Sequence, residues 1–152
     1  MMNLTLDINS GSLLINDTPF DYHNEKAYLT SIKQFGFDFY QKQMVVNDYH
    51  KYGGFDVIFF GNIFSVEFIY KDGELYSNSF IYNGLSEKAG FGATEFYQKK
   101  DRLKLRKDFK KVLGKSPEKK LKNRDLYIYD WGEVKVSLSN RDYYVFLNFD
   151  YY

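Results

Sequence analysis

Few side chains in this sequence could do acid–base or metal chemistry. The chain has two histidines, His23 and His50, and no cysteine. Asp48 and His50 stand two positions apart, so on a strand they would project to the same side and could form a carboxylate–imidazole pair. Alternatively, both histidines are solvated surface residues. A pocket that held Asp48, His50 and a third polar group would favour an enzyme.

Motifs that bind metals, cofactors or phosphates are missing from the sequence. There is no His-x-x-x-His, no cysteine pair, no Asp-rich calcium loop, no P-loop and no Gly-x-Ser-x-Gly. Residues 90–95, Gly-Phe-Gly-Ala-Thr-Glu, begin like a dinucleotide-binding fingerprint, but Glu95 stands where the third glycine would be and no βαβ unit surrounds it. We interpret this segment as a flexible loop. No catalytic residue, metal site, cofactor or small-molecule substrate is predicted, and we expect a binding protein and not an enzyme.

Charge is distributed unevenly along the chain. Residues 1–97 carry 6 Lys/Arg and 12 Asp/Glu, residues 98–124 carry 13 and 3, and residues 125–152 carry 2 and 5. The net charges of the three segments are therefore −6, +10 and −3, which together give the overall +1. A nearly neutral protein thus contains one strongly basic segment.

Two interpretations of the basic segment follow. It could be an electrostatic docking face for an acidic partner or a phosphate backbone, or it could be the ordinary solvated face of an amphipathic helix. Tyrosines near the end of the chain are further candidates, because tyrosine is enriched among the residues that dominate interface energies. The candidate partner-binding residues are Arg102, Lys104, Lys107, Lys111, Tyr143 and Tyr144.

The hydrophobic pattern predicts a hairpin, a helix and a strand meander in the first part of the chain. Residues 4–8 and 12–15 flank an Asn-Ser-Gly turn, and Pro19 is expected to end this pairing because proline cannot donate to a sheet ladder. Asn24 is predicted to cap a helix that runs to about residue 35, with Gly36 as its stop. Strands are then predicted at 43–49, 55–60, 63–70 and 74–82, separated by turns at Gly53-Gly54, Gly61-Asn62 and 71–73.

A second helix and three closing strands are predicted in the remainder. Glycines make residues 83–94 a loop, and the helix runs from about residue 101 to Leu113, with Gly114 as its stop. Ser116-Pro117 opens a charged linker, and the last strands are expected at 126–130, 133–138 and 143–149. The sequence shows no internal repeat and no linker between domains. These patterns predict a single α+β domain of residues 1–152, with an antiparallel meander sheet of about eight strands and two helices packed on one face.

Compartment is predicted from what the chain lacks. The first residues have neither the basic nor the apolar region of a secretory signal. The longest run with few charges, residues 57–66, is far shorter than the roughly 20 residues of a membrane span. The absence of cysteine fits a reducing compartment. We therefore expect a cytoplasmic protein that does not contact a membrane.

The order of these features resembles small bacterial immunity proteins that neutralise contact-dependent or other polymorphic toxins. The resemblance is carried by the opening hairpin at 4–15 with its Thr18-Pro19-Phe20 exit, the strand–turn–strand at 66–75, the helix end at 113–117 and Trp-Gly-Glu-Val at 131–134. It implies a stoichiometric inhibitor that binds one cognate protein toxin and covers an essential surface of it. Many such toxins are nucleases with basic clefts, for which the acidic residues 1–97 would suit an inhibitor and the basic helix would not.

The alternative is a nucleic-acid-associated binding module that uses the basic 98–124 segment. The overall charge near zero and the lack of an RNA-recognition or helix-turn-helix signature weigh against nucleic acid as the partner.

Overall fold

A computed structural model describes residues 2–35 and 42–152, with the backbone alone described for 42–46. Its strands are β1 Met2–Leu6, β2 Leu13–Ile15, β3 Thr18–Phe20, β4 Lys42–Val46, β5 Tyr49–Phe59, β6 Asn62–Lys71, β7 Glu74–Tyr82, β8 Lys119–Lys120, β9 Arg124–Tyr129, β10 Gly132–Leu138 and β11 Val145–Tyr151. Its helices are α1 Glu25–Gln34, the short α2 Leu85–Ala89 and α3 Glu95–Leu113, and a 3-10 turn, Gly90–Gly92, joins α2 to α3.

The strands form one mixed sheet. Ten of them follow the order β3-β2-β1-β5-β6-β7-β11-β10-β9-β8, and β4 pairs with β5 beside this path. Among the described pairs, β1 with β5 is parallel and the others are antiparallel. The α+β class is therefore confirmed, and the sheet is antiparallel as predicted except for the parallel pair of β1 and β5, which was not predicted. The predicted number of about eight strands is wrong, because β3 and β8 have three and two residues and are too short to show a hydrophobic period.

Pro19 does not end the first hairpin as predicted. After a tight turn in which Asn16 and Asp17 both have positive φ, β3 pairs with β2, and Pro19 lies opposite Leu14. Two consecutive positive-φ residues are the usual geometry of a two-residue hairpin turn. Because β3 is the outermost strand of the path, the missing N–H of Pro19 breaks no ladder.

Gly53 and Gly54 lie inside β5 instead of ending a strand, so the predicted limits at 43–49 and 55–60 are wrong. The turn before β5 is formed by Asn47 and Asp48, which both have positive φ. The register between β5 and β6 shifts between Gly53 and Asp56. On the other edge, β4 pairs with the first part of β5 and β1 with the last part. The glycines therefore mark the place where β5 exchanges one neighbour for another.

The later hairpins are confirmed with small shifts. Phe60-Gly61 and Asp72-Gly73 form positive-φ turns on either side of β6, so the first turn lies one residue earlier than predicted. The strand predicted at 143–149 begins only at residue 145, because Tyr143 has positive φ and belongs to the turn before β11.

Both predicted helices are present, but the structure also has the short α2 within residues 83–94, which were predicted to be a loop. Asn24 Oδ1 accepts a hydrogen bond from Ala27 N at 2.8 Å, which confirms the α1 cap, whereas the predicted stop, Gly36, lies outside the described residues. α3 begins at Glu95, after the Thr94 cap, and not near residue 101 as predicted. The buried side chains of its first turns, Gln98 and Asp101, are polar, so no apolar pattern in the sequence indicates that these turns are helical. Gly114 is left-handed and ends α3 as expected.

The two long helices cover the same face of the sheet, as predicted. A continuous chain of ring contacts joins Tyr28 of α1 to Phe109 of α3, with centroid separations between 5.0 and 6.2 Å. The rings between them project from β6, β7, β11 and β5: Phe68, Phe80, Phe149 and Phe59. Because all of them are buried in one cluster, the helices and the sheet share a single core.

The same order of elements occurs twice along the chain. α1 precedes the meander β4-β5-β6-β7, and α3 precedes the meander β8-β9-β10-β11. The helix caps, Asn24 and Thr94, lie seventy positions apart, as do the starts of β6 at Asn62 and β10 at Gly132. The last strand of each meander, β7 and β11, pair with each other. The architecture is thus repeated although the sequence shows no repeat.

The sheet is curved, so that the loop between β1 and β2 contacts the second meander. Trp131 Nε1, after β9, donates to Ile8 O at 2.9 Å, and Tyr151 OH donates to Gly11 O at 2.9 Å. These bonds tie the loop between β1 and β2 to the second meander. No helix in the described part of the chain is long and apolar enough to cross a membrane.

Candidate partner-binding surface

Helix α3 separates its side chains into an inner and an outer face. Leu105, Phe109 and Leu113 are buried against the sheet. At 100° per residue, positions 96, 100, 103, 107 and 111 point away from these three residues, and positions 99 and 110 flank them. All seven of these residues are exposed: Phe96, Lys99, Lys100, Leu103, Lys107, Lys110 and Lys111. We call this set the outer face of α3.

Arg102, one of the predicted partner-binding residues, holds the following loop against the helix. Its guanidinium donates to Asp125 Oδ1 at 2.6 Å and to the carbonyl oxygens of Leu121, Lys122 and Arg124. Its side chain is 13% exposed. Most of its donors are therefore used inside the chain, which makes Arg102 a structural residue in this geometry.

Arg106 joins the same carboxylate from the next turn of α3. Its Nε and Nη2 donate to Asp125 at 3.0 and 2.9 Å. Burial by itself would raise the pKa of Asp125, but hydrogen bonds from Arg106 and Arg102 outweigh burial and hold that pKa below its ordinary value. The two arginines thus neutralise a buried charge and fasten β9 to α3.

Lys104 is also engaged. Its ammonium donates to Asp108, one turn along the helix, at 2.6 Å and to Asn62 Oδ1 at 2.7 Å. Mainly because of the hydrogen bond to Asp108, the pKa of Lys104 is raised. The side chain remains 55% exposed, so Lys104 adjoins the outer face while its ammonium is engaged within the chain.

The last two predicted lysines, Lys107 and Lys111, are on the outer face together with Lys110. None of the three forms an ion pair within the residues that the structure describes. Earlier on the same face, Lys99 pairs with Glu95, and the Lys100 ammonium lies 4.5 Å from the centre of the Phe96 ring. The C-terminal half of the outer face therefore presents positive charge to solvent.

Exposed apolar side chains accompany these lysines, and they were not predicted as site residues. Phe96 and Leu103 are both about 60% exposed on the outer face, and Phe91, between two glycines just before α3, is fully exposed. The segment that carries Phe91 is anchored by Asp101, whose carboxylate accepts from Leu85 N and Ser86 N. The available signal was the helical spacing of Phe96 and Leu103 opposite Leu105 and Phe109.

The predicted tyrosines lie near the other end of α3. Gln98 Nε2 donates to Ser139 O at 2.9 Å and to Tyr144 O at 3.2 Å, which ties the turn before β11 to the first turns of the helix. Tyr143 is 38% exposed and Tyr144 is half-buried. Since Gln98 and Lys107 are nine residues apart, the tyrosines and Lys107 are separated by about 13 Å along the axis. The six predicted residues thus do not form one compact cluster.

The carboxylate–imidazole pair considered for Asp48 and His50 does not form. Asp48 lies in the turn before β5, and His50 Nδ1 instead lies 2.7 Å from Glu25 Oε1 at the start of α1. Tyr52 OH donates to the same carboxylate oxygen. The pair is absent because the turn at Asn47-Asp48 removes Asp48 from the strand. His23 contacts Asp21, and its side chain is largely exposed.

Within the described residues, no group of three or more His, Asp or Glu side chains is placed to hold a metal ion. No protein-family model, curated protein or solved structure matches the chain.

Proposed function

We propose that this protein is an immunity protein, a stoichiometric inhibitor that binds and blocks a cognate bacterial protein toxin, and that it docks through the outer face of α3. The organisation of the chain supports the function, through its resemblance to small immunity proteins. The position of the docking site is supported by the unpaired lysines and exposed apolar residues that share one side of a well-anchored helix.

The observation that carries the proposal is the combination of Phe96 and Leu103 with Lys107, Lys110 and Lys111. Protein interfaces combine apolar anchors with a polar rim, and a few large side chains dominate their energy. Charge at the rim speeds association with a partner of opposite sign. A partner with an acidic surface around an apolar depression fits this face.

Anchoring by Arg102 and Arg106 also supports the proposal. Arg102 fixes the loop at 121–124, and both arginines fix Asp125, so the exposed Lys119 and Lys120 of β8 are paired with a strand that is fastened to α3. A preorganised surface loses less conformational entropy on binding than a flexible one. Arg102 contributes here by positioning the surface, whereas Lys107 and Lys111 are expected to contact the partner.

The test is co-production of this chain with the toxin domain encoded beside its gene. We expect the chain to restore growth of cells that make the toxin domain, and the two proteins to form a one-to-one complex in size-exclusion chromatography with light scattering. Failure of both protection and complex formation rejects the inhibitor function.

The docking face is tested by charge reversal. Lys107→Glu/Lys111→Glu should slow association about tenfold at low salt and make the rate less dependent on salt. The matched control is Lys26→Glu/Lys33→Glu, which reverses two exposed lysines of α1 and should leave the rate nearly unchanged. Equal rates for both variants would remove α3 from the interface.

A further variant examines the nucleic-acid alternative, which the +10 charge of residues 98–124 favours. A nucleic-acid module would bind duplex or single-stranded probes with an affinity that falls steeply with salt in proportion to the phosphates neutralised. Phe96→Ser/Leu103→Ser separates the two functions, because it should weaken toxin binding strongly and phosphate binding little.

A further inference from the structure

Strands β7 and β11, which join the two meanders, separate along part of their length. Their ladder contains two pairs, Phe146 with Ile81 and Leu147 with Phe80. Two residues further along each strand, the Asn78 side chain takes the place of a backbone group. Its Nδ2 donates to Phe149 O and its Oδ1 accepts from Phe149 N, both at 2.9 Å. The Asn78 side chain therefore bridges β7 and β11 where their backbones no longer pair directly, and the two strands diverge beyond it.

A groove of about 780 Å³ occupies the space beside this opening. Volumes of about 300–1,000 Å³ are typical of pockets that take small ligands. The floor is apolar and aromatic, because Leu13, Phe20, Tyr22 and Phe149 line it and are each at most 4% exposed. The rim is polar and open to solvent.

Two carboxylates stand on the rim. Asp21 follows β3 and Asp150 lies in β11, and both side chains are about half exposed. One oxygen of Asp21 contacts His23 Nδ1 and one oxygen of Asp150 contacts the Lys135 ammonium. The other oxygen of each makes no hydrogen bond within the described part of the chain.

The sequence segments that build the groove are the acidic ones. Its lining residues fall within 10–23, 75–78 and 148–151, and none of those described is Lys or Arg. The basic segment 98–124 contributes none of them. Apart from His23, the charged side chains of the described lining are thus the carboxylates of Asp21 and Asp150, of which Asp150 also pairs with Lys135.

We propose that this groove binds an arginine or lysine side chain carried by an extended segment of a partner protein. The aliphatic part of such a side chain would lie on the apolar floor while its cationic head reaches the rim, as long basic side chains do at amphipathic surfaces. A free oxygen of Asp21 or of Asp150 accepts a hydrogen bond from the head. Tyr76, an exposed ring in the wall, adds an aromatic surface for a guanidinium. This inference does not rest on the proposed function.

The test uses two capped tripeptides, Ser-Arg-Ser and Ser-Gln-Ser, titrated into the ¹⁵N-labelled full chain at low salt. We expect the arginine peptide to shift the amide resonances of Asp21, Tyr22, Tyr76 and Asp150 in a saturable way. The glutamine peptide, which has a similar stem without the charge, should bind at least severalfold more weakly. Equal binding of both peptides, or shifts that map to another surface, would overturn the proposal.

Variants locate the contact. Asp21→Asn and Asp150→Asn should each weaken binding of the arginine peptide about two- to fivefold, the range expected for a partly exposed ion pair. Asp17→Asn is the matched control, since Asp17 is exposed, lies outside the lining and has a positive φ that asparagine tolerates. Ser77→Trp should block the groove while keeping both carboxylates. An equal loss in the Asp17 variant, or unchanged binding in the Ser77 variant, would contradict a defined site.

Discussion

Arg102 Nη2 lies 2.6 Å from Asp125 Oδ1, a contact between the middle of α3 and the start of β9 across twenty-three positions of sequence. The carboxylate is 1% exposed and receives a second guanidinium from Arg106. A buried carboxylate is costly unless it is paired and hydrogen-bonded, and here two cations and several donors meet that requirement. The pair therefore determines how the basic helix and the strand behind it are joined.

Replacing Asp125 should destabilise the fold strongly. In Asp125→Ala, the two arginines lose their counter-charge while remaining partly buried, and we expect a loss of about 3 kcal/mol in the free energy of unfolding. Urea denaturation followed by circular dichroism measures this loss. Asp142→Ala, at an exposed turn position, is the control and should change stability by less than about 0.5 kcal/mol.

The same carboxylate should make stability depend on acid pH. Its pKa is lower in the folded protein than its ordinary value of 3.8, so the folded state favours the ionised form. This contribution is fully present above about pH 5, begins to be lost near the unfolded pKa and disappears as the pH falls through the folded pKa. The difference in unfolding free energy between the wild type and Asp125→Asn should therefore be larger at pH 7 than at pH 3. A difference independent of pH would contradict this assignment.

Any side chain at Gly11 should lower the stability of the fold. It has φ of +79°, and a Cβ atom there would lie 2.4 Å from the Trp131 ring. Gly73 has φ of +80° but open space around it, so Gly73→Ala measures backbone strain alone, about 1 kcal/mol. Gly11→Ala should cost about 2 kcal/mol more, because the ring must also move. Trp131 is the single tryptophan, so its fluorescence should change in the Gly11 variant and not in the Gly73 variant.

Asn78 should contribute more to the stability of the fold than its residue type suggests. Asn78→Ala would leave the N–H and C=O of buried Phe149 without their partners, at a cost of about 1–3 kcal/mol. Hydrogen exchange of the Phe149 amide should accelerate by at least tenfold, while the exposed Asn140→Ala control leaves it unchanged. Retained protection of Phe149 would show that another group replaces the asparagine.

Local signals predicted those parts of the fold that local chemistry determines. The Asn24 cap, the Gly114 stop and the strand at 74–82 follow from residues within a few positions of each other, and all are present. The limits of β5 could not be predicted in the same way. Gly53-Gly54 resembles a strand end, and its role inside a strand depends on β1 and β4 sharing one edge, which is a long-range relationship.

The site residues likewise divide into those that local spacing predicts and those whose roles depend on distant contacts. Exposure of Lys107 and Lys111 follows from helical spacing relative to Phe109. Arg102 has the same residue chemistry, but its role depends on a loop twenty positions away that supplies three carbonyl oxygens. No periodicity indicates the groove at β7 and β11, because its walls come from three separate segments and its opening depends on one asparagine.

The position of β11 between β7 and β10 has a consequence for synthesis. A ribosome releases the chain from its N-terminus, so β7 and β10 both emerge before the strand that must lie between them. Until β11 has been made, the edges of β7 and β10 that it covers lack their partner strand. The pairing that joins the two meanders must therefore form after both of the strands that flank β11 have been synthesised.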